Sequence, residues 1–220
     1  MLSILCTKEL SSSQKQMFLE QGFHVVYKDF ISVKTIPFQL NSINNSIIFT
    51  SKNAVQSVLE SGKLTALKLK SCFCVGQKTK EFLEENNFKV LACENYAEDL
   101  GQLIATQYPE ATFTFFSGNL RQDVLPNILK DNNVFFDEIK TYETVLSPQK
   151  LNEKFDAILF FSPSAVNSYL QKNKIENQNC FCIGSTTAKA LEHKTKNITI
   201  APLQTIESVI ETAISTLLTA

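Results

Sequence analysis

Two pairs of cysteines are the residues whose spacing first suggests chemistry. Cys72 and Cys74 are separated by one phenylalanine, and Cys180 and Cys182 repeat the pattern. Paired thiolates can bind zinc or react with oxidants, but zinc sites usually space their cysteines as C-x₂₋₄-C and add further Cys or His nearby. Neither of the two histidines is close to a pair in sequence. Cysteine alternating with phenylalanine in an apolar run is typical of a buried strand. We predict core cysteines and no metal site, with a metal or redox protein as an alternative.

Polar turns between strand-like and helix-like segments are the second candidate for chemistry. In an open parallel sheet, ligands bind outside the carboxyl ends of the strands, where helix N-termini present unpaired amides to anions. Each turn on its own is also an ordinary helix cap, because a Ser or Thr oxygen accepts an orphan amide. Taken together, the turns favour a ligand cleft lined by two sheets. The turns are TSKNA (50–54), GQKT (76–79), SGNLR (117–121), SPSA (162–165), GSTT (184–187) and PLQT (202–205).

The sequence signatures of nucleophilic catalysis and of nucleotide binding are absent. The chain has no Ser-His-Asp or Cys-His pattern, and VGQKT lacks the glycines of a P-loop or a dinucleotide fingerprint. The remaining acid–base groups near the turns are cations and phenols, each of which could equally be a solvated cation or a half-buried tyrosine. They are Lys8, Lys52, Arg121, Tyr96, Tyr142 and Tyr169.

Charge and composition exclude several classes of protein. Lys plus Arg number 21 and Asp plus Glu number 22, without a basic cluster, so binding to nucleic acid through phosphate neutralisation is disfavoured. The first residues carry no charged leader, and no apolar run approaches the length of a membrane span. Six cysteines in 220 residues do not make a disulfide scaffold. We expect a cytoplasmic protein with free thiols that binds neither membranes nor nucleic acid.

The elements that must position these turns follow from the hydrophobic pattern. Apolar strand-like runs alternate with amphipathic helix-like runs along the chain, which predicts parallel sheets with helices on both faces. IIFTSKNAVQSVL (47–59) aligns without gaps to ILFFSPSAVNSYL (158–170), and a Cys-x-Cys segment follows each copy at nearly the same distance. Another strand and helix come after each Cys-x-Cys segment. The fold class is therefore α/β with two similar three-layer halves.

The two halves are not simply consecutive, because two strand-like elements precede the first copy of the repeat. If these elements join the sheet of the second copy, both sheets reach five strands. This predicts a discontinuous domain 1 of residues 1–35 plus 147–220 and an inserted domain 2 of residues 37–145. Strand-like stretches near 30–37 and 140–148 are the predicted linkers, which form a two-stranded connection beside a cleft between the domains.

Five segments occur in this order along the chain: IIFTSKNAV, CVGQKTKEFL, FFSGNLRQDVLPNILKDNNVFFDEIKTYETV, ILFFSPSAV and CIGSTTAKAL. Together, and at these spacings, they resemble the uroporphyrinogen-III synthase family. The resemblance covers nearly the whole chain, and its most specific parts are SGNLR followed by LP, FFSPS and IGSTTAKAL. It implies two flavodoxin-like domains joined by a two-stranded linker, a mobile interdomain cleft, a monomer and no cofactor.

The resemblance also implies a reaction. Linear hydroxymethylbilane loses its hydroxyl as water and closes to uroporphyrinogen III with ring D inverted, through a spiro-pyrrolenine. Without an enzyme the bilane closes to the uninverted isomer. The implied partners are this small-molecule substrate and, transiently, hydroxymethylbilane synthase. The bilane carries many carboxylates, which suits a site built from helix N-termini and hydroxyls. The protein then contributes mainly geometry, and a dispersed site without a dominant catalytic residue is expected.

Residues at the matching turns are expected to bind acetate and propionate groups, mainly through backbone amides. Asn53 stands where the family often has an arginine. The expected substrate-binding residues are Thr7, Lys8, Thr50, Ser51, Asn53, Gly76, Thr79, Ser117, Gly118, Asn119, Arg121, Ser162, Pro163, Ser164, Gly184, Thr186, Thr187 and Thr205.

The phenol that assists departure of the hydroxyl is where this chain departs from the family. The family's tyrosine after SPS aligns with Ser168, and Tyr169 is one position further on. One step rotates a side chain by about 100° around a helix. We expect Tyr169 to be the catalytic phenol, with Tyr142 as the alternative. A different class of function also stays open, namely a non-catalytic two-domain binding module that closes around a carboxylated metabolite.

Overall fold

The computed structural model describes residues 1–40, 42–62 and 64–219. The strands are β1 (Ser3–Cys6), β2 (His24–Tyr27), β3 (Ile31–Thr35), β4 (Ser46–Phe49), β5 (Ser71–Val75), β6 (Lys89–Glu94), β7 (Phe113–Gly118), β8 (Phe136–Leu146), β9 (Ala157–Phe160), β10 (Asn179–Cys182) and β11 (Ile198–Ile200). The helices are α1 (Ser12–Leu19), α2 (Lys52–Glu60), α3 (Leu64–Lys68), α4 (Gln77–Glu85), α5 (Ala97–Gln107), α6 (Val124–Asp131), α7 (Pro163–Leu170), α8 (Ser185–Lys189) and α9 (Ile206–Thr219).

The chain divides into two compact units, of which unit 1 comprises residues 1–32 and the chain from Val145 onward. Its sheet has the strand order β11-β10-β9-β1-β2, and neighbouring strands are parallel. Numbered along unit 1 alone, this is the order 2-1-3-4-5 found in flavodoxin. The switch point of such a sheet lies between β1 and β9, and the rule for open sheets puts ligands outside the carboxyl ends there.

Unit 2 comprises residues 33–144. Its sheet has the order β3-β8-β7-β4-β5-β6, and the pairs among β4 to β8 are parallel. Numbered along β4 to β8, the order is 3-2-1-4-5, which is the other common doubly wound order. Its switch point lies between β4 and β7. The predicted α/β class with parallel sheets is confirmed.

Strands β3 and β8 are sheet neighbours, and both cross the division between the units. The Ile36 amide donates to the Thr141 carbonyl at 3.0 Å, and the Ser147 amide donates to the Phe30 carbonyl at 2.9 Å. As the residue number rises along one strand, that of its partner falls, so the two strands run antiparallel. The chain therefore enters and leaves unit 2 through one hydrogen-bonded ribbon.

The cysteines that alternate with phenylalanine lie in the cores, as predicted. Cys72 and Cys74 are fully buried with Ile47 and Phe49 on one face of the unit 2 sheet, and Phe73 points to the other face. Cys180 and Cys182 are equally buried in unit 1. Burial raises the pKa of Cys72, Cys180 and Cys182 to about 12. These thiols are protonated at neutral pH and contribute packing rather than reactivity.

Two features are absent from the part of the chain that the structure describes. No helix there is long and apolar enough to cross a membrane. Within the same residues, no three His, Cys, Asp or Glu side chains come together in a group that could hold a metal ion.

Candidate active site

The carboxyl end of β1 in unit 1 leads directly into Thr7. Its backbone amide and its hydroxyl both donate to the Leu159 carbonyl, at 3.1 and 2.7 Å. Thr7 is buried, so its side chain serves mainly to join β1 to β9 at the switch point. Lys8, the next residue, is exposed at the same edge of the sheet. Of this predicted pair, the lysine is therefore the one available to a ligand.

Helix α7 begins in the SPSA turn that follows β9. Ser162 is the N-cap, and its hydroxyl oxygen accepts the Ala165 amide at 3.1 Å. Pro163 occupies the first helical position, where its missing amide is not needed. Ser164 is half-buried beside it. Because a hydroxyl that accepts a cap bond still carries a proton, Ser162 can both begin the helix and donate to a carboxylate.

The GSTT turn after β10 begins the short helix α8. Gly184 is the N-cap, and no side chain in the described part of the chain caps this helix. Thr186 is exposed, whereas Thr187 is buried and its amide donates to the Gly184 carbonyl at 3.1 Å. After β11, Thr205 accepts the Ser208 amide at 3.1 Å at the start of α9. Unit 1 thus presents hydroxyls at three successive turns along one edge.

Unit 2 repeats this arrangement at the start of α2. Ser51 is the N-cap, and its hydroxyl oxygen accepts the Asn53 amide at 3.1 Å. Thr50 is half-buried, and the Asn53 side chain is exposed. The sequence repeat therefore produces equivalent serine caps, Ser51 and Ser162, at the two central strands β4 and β9.

The GQKT turn after β5 begins α4 without a side-chain cap from the described residues. Gly76 adopts a φ of 85°, a conformation that glycine tolerates best. Its amide donates to the Glu94 carbonyl at 2.8 Å, and its carbonyl accepts the Thr79 amide at 3.0 Å. Thr79 is buried, as is Thr187 at the equivalent place in unit 1.

The SGNLR turn after β7 contains the densest polar network at these edges. Glu138 on β8 accepts the Ser117 hydroxyl at 2.6 Å, Arg121 Nε at 2.5 Å and Arg121 Nη2 at 2.8 Å. Arg121 Nη1 also contacts the Asp123 carboxylate. The Arg121 and Ser117 hydrogen bonds hold the pKa of Glu138 below its usual range, although burial acts against them. Arg121, predicted to meet substrate, is committed to protein carboxylates instead.

Tyr142 lies directly against this turn. A Cβ built on Gly118 would fall 2.3 Å from Cζ of Tyr142, so only glycine fits beneath the ring. The Asn119 amide donates to the Tyr142 carbonyl at 3.3 Å. The Asn119 side chain bonds Thr144 twice, accepting its amide at 2.8 Å and donating to its carbonyl at 3.2 Å. Tyr142 is half-buried, with its ring over the backbone of a predicted binding turn.

Tyr169, the phenol expected to be catalytic, is placed elsewhere. Its side chain is 4% exposed, its ring packs edge-on against Phe30 and Phe160, and its hydroxyl donates to the Lys174 carbonyl at 3.3 Å. Burial raises its pKa to about 12. It lines a cavity of about 460 Å³ with residues 150–155, which precede β9. Because residues 150–155 precede β9, that cavity lies at the amino-terminal edge of the sheet. Tyr169, one position after Ser168 on α7, packs in the core.

Ser168, which aligns with the family's tyrosine, is fully buried, and its hydroxyl makes no hydrogen bond with any described residue. Sequence reasoning missed the contribution of β8, namely Glu138, Thr141 and Thr144. The sequence signal was an acidic residue four positions before Tyr142 in a linker strand. Only the folded sheet shows that this carboxylate meets Ser117 and Arg121.

Comparison with known proteins decides the family. A model of the family described as HEM4, uroporphyrinogen-III synthase HemD, matches residues 14–211 of this chain. The chain belongs to the uroporphyrinogen-III synthase family. The resemblance seen in its motifs is thereby confirmed, and so is the predicted class of enzyme, a cyclising lyase of heme biosynthesis.

Two curated relatives agree with this assignment. The uroporphyrinogen-III synthase of Saccharomyces cerevisiae is 27% identical over 212 residues, covering 77% of this chain and 74% of the yeast protein. The porphyrin biosynthesis protein HemD of Ruminiclostridium josui is 25% identical over 195 residues, covering 75% of this chain and 36% of that protein. This chain therefore corresponds to about a third of the longer clostridial protein.

Solved structures share the fold. Uroporphyrinogen-III synthetase from Helicobacter pylori aligns with a TM-score of 0.76 at 22% identity, covering 98% of this chain and all of that one. A mutant uroporphyrinogen III synthase from Thermus thermophilus aligns with a TM-score of 0.70 at 14% identity, covering both chains completely. At these identities the structures establish a common fold.

Proposed function

We propose that this protein closes hydroxymethylbilane to uroporphyrinogen III, with loss of water and inversion of ring D through a spiro-pyrrolenine. The observation that carries the proposal is the family match over residues 14–211. The geometry supports it, because both units end their central strands in turns of hydroxyls and amides. Such turns suit a ligand whose charge is spread over many carboxylates.

The turns can bind carboxylates without a strong net positive charge. Ser51, Ser162 and Thr205 accept helix amides, and their hydroxyl protons are available to donate. Helices α4 and α8 begin at glycines and carry no side-chain cap within the described residues. We infer that the substrate's acetate and propionate groups occupy these turns. The interdomain cleft implied by the family resemblance stays a prediction.

The chemical step needs one proton and a fixed geometry. The bilane hydroxyl leaves as water when a phenol or solvent protonates it and the pyrrole nitrogen supplies the electron pair. We propose Tyr142 as the phenol, because its ring covers Gly118 at a binding turn whereas Tyr169 is in the core. The substituted α-carbon of ring D attacks the resulting azafulvene carbon and forms the spiro-pyrrolenine. The bond between that ring D carbon and the ring C methylene then breaks, which leaves an azafulvene on ring C. The free α-carbon of ring D attacks this methylene carbon and closes the macrocycle, and its proton is lost to solvent on rearomatisation. Positioning of ring D then decides the isomer.

The test is the isomer composition of the product. Purified protein is mixed with freshly made hydroxymethylbilane, the porphyrinogens are oxidised, and the isomers are separated by chromatography. We expect predominantly isomer III, against predominantly the uninverted isomer without enzyme. A binding module that holds the bilane without turnover would leave the isomer ratio unchanged, and that result would overturn the proposal.

The cellular setting is also a proposal. We propose a cytoplasmic monomer that meets hydroxymethylbilane synthase transiently, because the bilane closes spontaneously to the wrong isomer when it is released. All six cysteines are free thiols, which suits a reducing compartment. Sedimentation velocity of the protein alone and with the preceding enzyme tests both points. A stable oligomer would contradict the first.

A further inference from the structure

The carboxylate of Glu138 connects the two ends of the SGNLR turn. One oxygen accepts the Ser117 hydroxyl and Arg121 Nε, and the other accepts Arg121 Nη2. The Arg121 and Glu138 side chains are only 20% and 21% exposed. A bidentate arginine–carboxylate pair of this kind fixes both the distance and the relative orientation of the two side chains. The turn is therefore held at its first and last residues by a single side chain.

The donors of the Arg121 guanidinium are largely committed. Nε and Nη2 bond Glu138, and Nη1 contacts Asp123 and, at 3.5 Å, the Gln122 carbonyl. Two carboxylates therefore surround one guanidinium, so these three side chains carry net negative charge. Lys140, on the same strand, acts on Glu138 electrostatically. The guanidinium of this turn is therefore occupied by protein carboxylates and does not face an incoming carboxylate as a free cation.

A β-bulge lets β8 hold the turn from both faces of the sheet. The register shifts so that Ser117 pairs with Lys140 while Gly118 pairs with Tyr142, which leaves Thr141 as the extra residue. Glu138 lies on the face of Phe136, which packs with α5 and α6, whereas Tyr142 packs on the opposite face with α2 and α4. Without the bulge, alternate residues of β8 would share one face. Bulges beside active sites commonly re-aim side chains in this way.

We propose that Glu138 is a positioning residue that keeps Arg121 within the turn and away from substrate carboxylates. This inference rests on the proposed function and deepens it. A free arginine would bind the polyanionic bilane more tightly in the ground state without favouring the transition state. Confining the arginine leaves recognition to fixed amides and hydroxyls, which hold the substrate in a defined orientation.

The inference is tested with four forms of the protein. They are the wild type, Glu138→Gln, Arg121→Gln and the double variant. For each form, fluorescence gives the Kd for uroporphyrin III, and enzyme kinetics give KM and kcat for the bilane. Glu138→Gln removes the charge that holds Nε and Nη2, so the guanidinium, still beside Asp123, can turn to substrate carboxylates. Kd and KM should then fall about fivefold, the size of one exposed ionic contact. The kcat of this variant should fall too, and its Kd should depend more steeply on salt. Arg121→Gln leaves Glu138 unpaired and should raise Kd. The double variant should return close to wild type.

Glu143→Gln is the matched control, because Glu143 is an exposed glutamate on the same strand and is not among the partners of Arg121. It should leave Kd, KM and kcat within about twofold of wild type, since exposed charges contribute little. If Glu138→Gln only lowers the melting temperature while Kd and KM per active molecule stay at wild-type values, the inference is overturned. An inactive wild type would contradict the proposed function instead, and the order of the four Kd values would still decide the role of Glu138.

Discussion

The sheets of the two units have equivalent strands at equivalent positions, but the chain visits these positions in a different order. In unit 1 the sheet reads β11-β10-β9-β1-β2, and in unit 2 its counterpart reads β6-β5-β4-β7-β8. The repeat aligns β9 with β4, and β10 and β11 with β5 and β6. Unit 1 is thus a circular permutation of unit 2, because its last two strands come from the start of the chain. The comparison shows that spatial order, rather than chain order, decides where the binding turns lie.

The binding turns of the two units differ in how they are held. Both units cap the helix after a central strand with a serine hydroxyl, and in unit 1 Thr7 also joins the two central strands through the Leu159 carbonyl. In unit 2, β8 carries the side chains that fix the SGNLR turn, and β8 is also a strand that leaves the unit.

Alanine at Gly118 should be the most damaging single change. The new Cβ would overlap the half-buried Tyr142 ring, so the ring or the turn must shift, at a cost of about 3 kcal/mol. Gly184→Ala in unit 1 is the control, because its Cβ would meet Gln204 at an ordinary 3.5 Å. Urea unfolding of both variants measures the difference. Equal midpoints would contradict the packing described for unit 2.

Thr186→Ala and Thr187→Ala should lower turnover more than Cys180→Ala and Cys182→Ala. Loss of one hydroxyl that donates to a substrate carboxylate should lower kcat/KM about tenfold, equivalent to about 1.4 kcal/mol. Cys180→Ala and Cys182→Ala remove buried thiols and should lower stability while leaving kcat/KM per folded molecule nearly unchanged. Measuring kcat/KM of the four variants in the same assay tests this prediction. A cysteine variant with the larger kinetic loss would revive a chemical role for the thiols.

Equivalent serines in the repeat, Ser57 and Ser168, should respond oppositely to alanine. The Ser57 hydroxyl donates to the Asn53 carbonyl at 2.8 Å, so Ser57→Ala should cost up to about 1 kcal/mol. The Ser168 hydroxyl is buried and without a partner among the described residues, so Ser168→Ala should be neutral or stabilising. Thermal melts measure both. Equal destabilisation would show that the Ser168 hydroxyl contributes to the folded state.

Among the described residues, an ion pair fixes a binding turn in unit 2 alone, and acid should weaken this pair. The pKa of Glu138 is lower in the folded protein than in the unfolded chain, where a glutamate titrates near 4.3. Its stabilisation is therefore present above about pH 4.3 and is lost as the pH falls through the lower, folded pKa. The free energy of unfolding of Glu138→Gln should therefore fall less between pH 7 and pH 3 than that of the wild type. The difference should be less than about 1 kcal/mol, because solvent screens the pair. Urea midpoints from pH 7 to pH 3 measure this effect, and a slope identical to wild type would contradict it.

Much of the fold could be predicted from the sequence because it is encoded locally and repeated. The alternation of strands and helices, the parallel sheets and the burial of Cys72, Cys74, Cys180 and Cys182 all follow from hydrophobic periods. The family could be recognised because its motifs lie at strand ends. These features need only neighbouring residues or a comparison of the two halves.

The details of the candidate site could not be predicted, because they depend on the register between distant residues. Thr7 bonds Leu159, which is 152 positions away, and no local pattern indicates that pairing. Tyr169 lies one helical step from the family's position, and the core decides where its ring goes. The role of Glu138 depends on a bulge at Thr141, which breaks the alternation that sequence reasoning assumes.

The most direct test of the account is a single-turnover measurement of isomer III from hydroxymethylbilane with the wild type, Tyr142→Phe and Tyr169→Phe. The wild type and Tyr169→Phe should give predominantly isomer III at similar rates, because the Tyr169 phenol is in the core. Tyr142→Phe should be slower by about tenfold to a hundredfold, as for loss of a general acid, with more of the uninverted isomer. A wild type that leaves the isomer ratio at its no-enzyme value, or a loss confined to Tyr169→Phe, would contradict the account.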